Sequence, residues 1–200
     1  MKLKLSELQK TAFHEAGHAV LYHIFGHQLD YVRANENGEG YTKPRFSYLP
    51  TAFATTNTSC LVDKILQYGI ICFGGYFAEF KAQKRNLDLF TICDIYRKTQ
   101  NEYLDNDFGA IRAQMEIAND ILGENLFDSE FFHLIGRRTQ AILKKENVWK
   151  AIQSLSNAIM EAENNNLNEK EINSLLSQFN LTDRYGINIS GVFNIKAKCS

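Results

Sequence analysis

Residues 6–26 read SELQKTAFHEAGHAVLYHIFG, and this stretch decides the fold. Ser6 followed three residues later by Gln9 is a capping-box pattern, so a helix is predicted to begin near Glu7. Gly26 supplies the stop after about Phe25. Between them Phe13, Ala16, Val20 and Ile24 fall at spacings of 3, 4 and 4, and Ala12, Ala19 and Leu21 widen that apolar stripe. Most of this helix is therefore expected to be buried. Within it lies His14-Glu15-Ala16-Gly17-His18, an H-E-x-x-H pattern. Residues four apart share a helix face, so both imidazoles can converge on one metal ion. Glu15 can reach a water on that metal rather than the metal itself, and can take its proton.

Two histidines four apart also arise by coincidence as satisfied core residues. On an apolar, buried helix, however, each imidazole needs a partner, and a metal satisfies both together. His23 lies nine residues beyond His14, half a turn around the helix, and points away from the metal face. The extension H-E-x-x-H-x-x-G-x-x-H fails, because Leu21 and Ile24 stand where Gly and His are needed. His23 and His27 read as surface or cap histidines.

Beyond Gly26 the period changes. Residues 29–53 carry Tyr31, Arg33, Gly38, Gly40 and the chain's only prolines, Pro44 and Pro50, which predicts a short strand, a glycine turn and a hairpin or irregular loop. A second long helix follows Ser59, with Val62, Leu66, Ile70, Phe73, Phe77 and Phe80 on one face. Gly74-Gly75 inside it costs about 1 kcal/mol per residue relative to alanine, so another backbone is expected to approach there. Further helices are predicted over roughly 89–103, 107–122, 130–145 (capped by Ser129), 147–163 and 169–179 (capped by Asn168, with Glu171 in register). Asn164-Asn165-Asn166 reads as a loop, and residues 186–195 alternate in a weakly β-like way. The fold class is mainly α with a minor β component, a multi-helix domain with a short hairpin after the first helix.

Composition narrows the function. The 200 residues carry 22 Lys+Arg against 23 Asp+Glu, a balance that argues against a nucleic-acid binder. The 44% hydrophobic fraction is ample for a core. No stretch is apolar enough over enough length to span a bilayer, and the first residues lack a signal peptide's apolar run. Cys60, Cys72, Cys93 and Cys199 form no C-x-x-C pair and read as reduced thiols, so a cytoplasmic location is expected. The charged stretches 81–85, Arg137-Arg138 and Lys144-Lys145 read as solvated helix faces, and the phenylalanines at 77, 80, 131 and 132 as core.

A catalytic zinc site takes a third protein ligand and leaves one position open for water. Glu79, Asp94, Glu102, Asp105 and Asp107 are all candidates, and periodicity does not choose among them. Asp107 opens an amphipathic run (Phe108, Ile111, Met115, Ala118, Leu122), where aspartate is also an ordinary N-cap.

Residues 11–21, TAFHEAGHAVL, resemble the zinc-site helix of the FtsH family of AAA metalloproteases. Gly74-Gly75-Tyr76-Phe77-Ala78-Glu79 resembles that family's Gly-Gly-Arg-x-Ala-Glu segment, and Asn106-Asp107-Phe108 its Asn-Asp-Leu segment, whose aspartate is the third zinc ligand. Residues 149–152 and 166–172 resemble its closing helices, so the match covers about residues 5–178. The resemblance implies a zincin-like peptidase domain over residues 1–182, with 183–200 as a C-terminal extension. It implies zinc held by His14, His18 and Asp107, with Glu15 as the base. It departs where the family's Thr-Gly-Ala run before the aspartate is missing, which leaves Glu79 or Asp105 as replacement ligands. Tyr76 also stands where the family has arginine, and residues 34–58, which would border the substrate cleft, diverge.

No G-x-x-x-x-G-K-[ST] motif occurs, so the expectation is a free-standing peptidase domain without an ATPase module. Such a domain would be a zinc-dependent endopeptidase acting on unfolded or flexible protein segments. The family works as a hexameric ring, which makes a homo-oligomer and a separate AAA unfoldase the partners to look for. The competing expectations are a catalytically silent or regulatory metal-binding interaction protein and a zinc hydrolase acting on something other than peptides.

Overall fold

The computed structural model describes residues 4–45, 58–85, 107, 109–113, 116 and 129–181. Helix α1 spans Glu7–Ile24. The Ser6 amide donates to Gln9 Oε1 at 2.9 Å and the Gln9 amide to Ser6 Oγ at 3.2 Å, so the reciprocal cap forms as the sequence predicts. Gly26, at φ +79, closes the helix while the His27 amide reaches back to the Tyr22 carbonyl at 2.9 Å.

The hairpin follows as β1 (Leu29–Ala34) and β2 (Gly40–Pro44). Helix α2 covers Thr58–Ala82, residues 107, 109–113 and 116 are helical, and α3 covers Ser129–Leu143. Next come α4 (Glu146–Glu161), a 3-10 turn (Glu163–Asn165), β3 (Asn166–Asn168) and α5 (Glu169–Leu176). The protein is mainly helical, and the described residues hold one small antiparallel sheet in the order β2-β1-β3. The predictions for residues 46–53, 89–103 and 183–200, with 108, 114–115 and 117–122 of the helix predicted from 107, lie outside the described residues.

α1 packs most extensively on α2 and then on α4. Ala12, Ala16, Ala19, Val20 and Leu21 of α1 share one core with Leu66, Ile70, Phe73 and Phe77 of α2 and with Val148, Ile152, Leu155 and Ile159 of α4. The helices α1 and α2 meet glycine to glycine. A Cβ on Gly17 would overlap the Gly74 carbonyl, and one on Gly74 would stand 3.1 Å from the Gly17 carbonyl oxygen. Overpacking of that kind costs typically about 1–3 kcal/mol. The approach therefore more than offsets the roughly 1 kcal/mol that each helical glycine forfeits.

Three local expectations need correction. Asn166 is not loop: it begins β3, whose Leu167 pairs with Val32 of β1 and is buried. α3 begins at Ser129, one residue before the predicted start. Lys81 is not on a solvated face: its ammonium donates to the Leu143 carbonyl at 2.6 Å and lies 4.2 Å over the Trp149 ring. A cation at the end of α3 is favoured by the helix dipole, and the indole face adds to it. Arg137, Arg138, Lys144 and Lys145 are exposed as expected.

Candidate metal centre

His14 and His18 project from successive turns of α1 toward Asp107, itself in helical conformation. Nε2 of His14 is 3.1 Å and Nε2 of His18 3.0 Å from the same carboxylate oxygen, Asp107 Oδ2. These ligand atoms all lie within 4.8 Å of one another. Tetrahedral zinc with bonds of about 2.0–2.1 Å separates neighbouring ligand atoms by roughly 3.4 Å, so only small movements are needed to admit an ion.

Hydrogen-bond chemistry argues for a cation here. His18 Nδ1 lies 2.8 Å from the Ile71 carbonyl, which can only accept, so Nδ1 carries the proton. In the neutral ring, Nε2 then presents a lone pair to a carboxylate oxygen. Two acceptors at that distance need positive charge between them, supplied by protons or by a metal.

The metal-free electrostatics say the same. Burial works against charge on His14, but the hydrogen bond to Asp107 and the nearby Glu79 carboxylate outweigh it and raise the pKa to about 10. His18 is raised on the same balance, burial opposing and Asp107 prevailing. Burial would raise Asp107, yet the facing His18 and His14 hold it well below the usual carboxylate range.

α2 provides the floor. A Cβ on Gly75 would overlap Nε2 of His18 and stand 2.6 Å from Nε2 of His14, so only glycine leaves room for both rings and what they bind. The paired glycines thus divide the work, Gly74 admitting the α1 backbone and Gly75 the imidazoles. One turn on, Glu79 Oε2 is 3.7 Å from His14 Nδ1, the nitrogen facing away from the triad. Glu79 is therefore an orienting partner of His14, and does not replace Asp107. Tyr76 sets its ring edge-on to His14, with centroids 5.0 Å apart. Asp94, Glu102 and Asp105 lie outside the described residues.

Glu15 is 6% exposed and faces β2, where Thr42 Oγ1 donates to its Oε2 at 2.7 Å. Both residues line a cleft of about 880 Å³. Its walls are α1 (Thr11, His14, Glu15, His18) and β2 (Gly40 to Pro44) with Arg45 just beyond it, and Ile71, Cys72 and Tyr76 of α2 form its base. His23 and His27 stay out of the triad. Both are half-buried, and burial lowers their pKa values, His27 to about 4 with Lys64 adding to the effect.

Thr42 and Gly75 are the site residues that sequence reasoning missed or left unassigned. Glycine at 75 and glutamate at 79 are one helical turn apart, a spacing that could have placed both on the metal side. Nothing comparable marks Thr42.

The raised histidine values fix the sign of the pH dependence. Their folded-state pKa exceeds the unfolded 6.5, so they stabilise the metal-free protein below that pH, and the contribution of His14 fades as pH climbs toward about 10. A metal must displace those protons. Zinc uptake at pH 7 is expected to release about one to two protons per ion. Calorimetric titration in buffers of differing ionisation enthalpy measures this, and no proton release would contradict the charged triad.

No protein-family model matches the chain, and no curated protein matches it.

Proposed function

We propose that this chain is a zinc-dependent metallopeptidase of the FtsH-like type, cutting unfolded or flexible protein segments. The observation that carries the proposal is the convergence of His14, His18 and Asp107 beside a buried glutamate in an open cleft. The donor set suits zinc, with two imidazole nitrogens and one carboxylate oxygen as ligands. Bound there, zinc would polarise a scissile carbonyl and acidify an attacking water. Glu15 accepts the proton of that water at its carboxylate and returns it to the departing amide nitrogen.

Two features favour catalysis over a closed structural site. Among the described residues three side chains converge rather than four, which leaves room for water and substrate. A purely structural site also has no use for Glu15. A peptide substrate is favoured by β2, which among the described residues forms one edge of the sheet and lines the cleft. An extended peptide can hydrogen-bond to such an edge while its scissile bond lies over the triad.

The resemblance of residues 11–21 and 74–79 to the FtsH family assigns the same ligands and base. By that resemblance the working form is a homo-oligomer, with a separate AAA unfoldase feeding it, and the buried free thiol of Cys72 fits the cytoplasm. Among the described residues no helix is long and apolar enough to cross a membrane.

The test is elemental analysis of identically purified wild type, Asp107→Ala and Glu79→Ala. Wild type is expected to hold about one zinc per chain, Asp107→Ala to lose it, and Glu79→Ala to keep it with an affinity about 10–100-fold lower. Full zinc in Asp107→Ala would move the third ligand elsewhere. A zinc-free wild type, even after reconstitution, would leave an interaction protein.

A further inference from the structure

We propose that Thr42 is the positioning residue for Glu15, its hydroxyl fixing the carboxylate against β2; the inference rests on the assignment of Glu15 as the base. Strand register supplies the first support. Val32 pairs with Thr42 and Ala34 with Gly40, and both β1 residues are fully buried. Residues directly opposite in an antiparallel pair share a face, so Gly40 and Thr42 turn inward toward α1. Tyr41, between them, is 49% exposed. A hydroxyl on that inward face is unfavourable without a partner, and valine would fill the same volume.

The partner is Glu15. Thr42 Oγ1 lies 2.7 Å from Glu15 Oε2 and 3.0 Å from the main-chain carbonyl of the same residue. One hydroxyl proton serves one acceptor at a time. The carboxylate is both the nearer and the charged one, and a hydrogen bond to a charged group is roughly twice as strong.

Gly40 closes the other side. A Cβ there would stand 2.5 Å from Glu15 Oε1 and 2.6 Å from its Cγ, so the strand backbone lies directly along the carboxylate. One oxygen is tied to Thr42 while the other is pressed along Gly40. A side chain that would otherwise sample several rotamers is thereby held in one, beside His14 and His18.

The test compares zinc-loaded Thr42→Val and Thr42→Ser with wild type. On an unstructured peptide, Thr42→Val is expected to lower kcat about 10–100-fold with KM and zinc content unchanged, and Thr42→Ser to recover most of the rate. A second readout does not need turnover. Acetohydroxamate chelates zinc and passes its hydroxyl proton to a neighbouring carboxylate. Calorimetry should show binding about tenfold weaker in Thr42→Val, but no difference when Glu15→Gln is present in both proteins.

Equal hydroxamate binding in Thr42→Val and wild type, or a serine variant no better than valine, would overturn the proposal. Wild type that binds hydroxamate with this coupling but cleaves no peptide would leave Thr42 in its role and reject the peptidase. A wild type that holds no zinc would overturn both.

Discussion

Gly75→Ala is expected to strip the protein of its metal without unfolding it. The added methyl would overlap Nε2 of His18 and come within 2.6 Å of Nε2 of His14, the two atoms that must share an ion. What has to yield is side chain and not backbone, so the imidazoles swing out of convergence while the α1–α2 contact at Gly17 and Gly74 stays intact. His18 also risks its bond to the Ile71 carbonyl, which sets its tautomer. Alanine gains about 1 kcal/mol of helix propensity over glycine, which offsets part of the cost of moving two rings. Zinc affinity should fall by more than about 100-fold, beyond what loss of an orienting partner alone produces. Elemental analysis and zinc titration read the loss, while circular dichroism and the melting temperature of the metal-free protein report on the fold. Retention of a full zinc complement would place the ion somewhere other than above Gly75.

Glu15→Gln should have the opposite profile, with metal kept and cleavage lost. Glutamine has the same shape and can still accept the Thr42 hydrogen bond through its amide oxygen. It cannot take a proton from water. General acid–base catalysis contributes about 10²–10⁴-fold, and the drop in kcat on an unfolded casein-like substrate should fall in that range. Zinc content measured on the same preparation separates a chemical defect from a binding defect. Cleavage at the wild-type rate would show that the proton moves by another route. Zinc lost together with activity would point to a role for Glu15 in holding the ion.

These two variants touch residues of which one is marked by local sequence and the other, in its role, only by the fold. His14, Glu15 and His18 were legible because a local device, the Ser6–Gln9 cap, fixes the helix on which a spacing of four has meaning. Gly74-Gly75 was legible as a close approach, since two glycines inside a long apolar helix need a reason. Which backbone or ring they admit depends on how α1 crosses α2, and that is a tertiary fact. Asp107 is brought to the histidines from 93 residues away, a separation over which periodicity carries no information. β3 is hidden in the sequence for a similar reason. It is three residues long and mostly polar, and it becomes a strand only through pairing with β1. Thr42 was illegible because the face it presents depends on register. The shift between Leu29 and Tyr31 alters that register, and a slip of one residue would have turned its hydroxyl to solvent. Lys81 looked solvated because charge in a sequence does not reveal a nearby helix end.

The crossing of Gly17 over Gly74 bears on how chains of this architecture can be found. H-E-x-x-H alone is a short string that chance produces often, and any residue satisfies its two free positions. At this crossing the second free position cannot carry a side chain, because the neighbouring helix's carbonyl occupies that space. A scan for H-E-x-G-H, followed by a glycine pair one turn before a glutamate on the next long helix, therefore asks for geometry and not only for ligands. Proteins it returns would share the way two helices touch, even where little else in their sequences agrees.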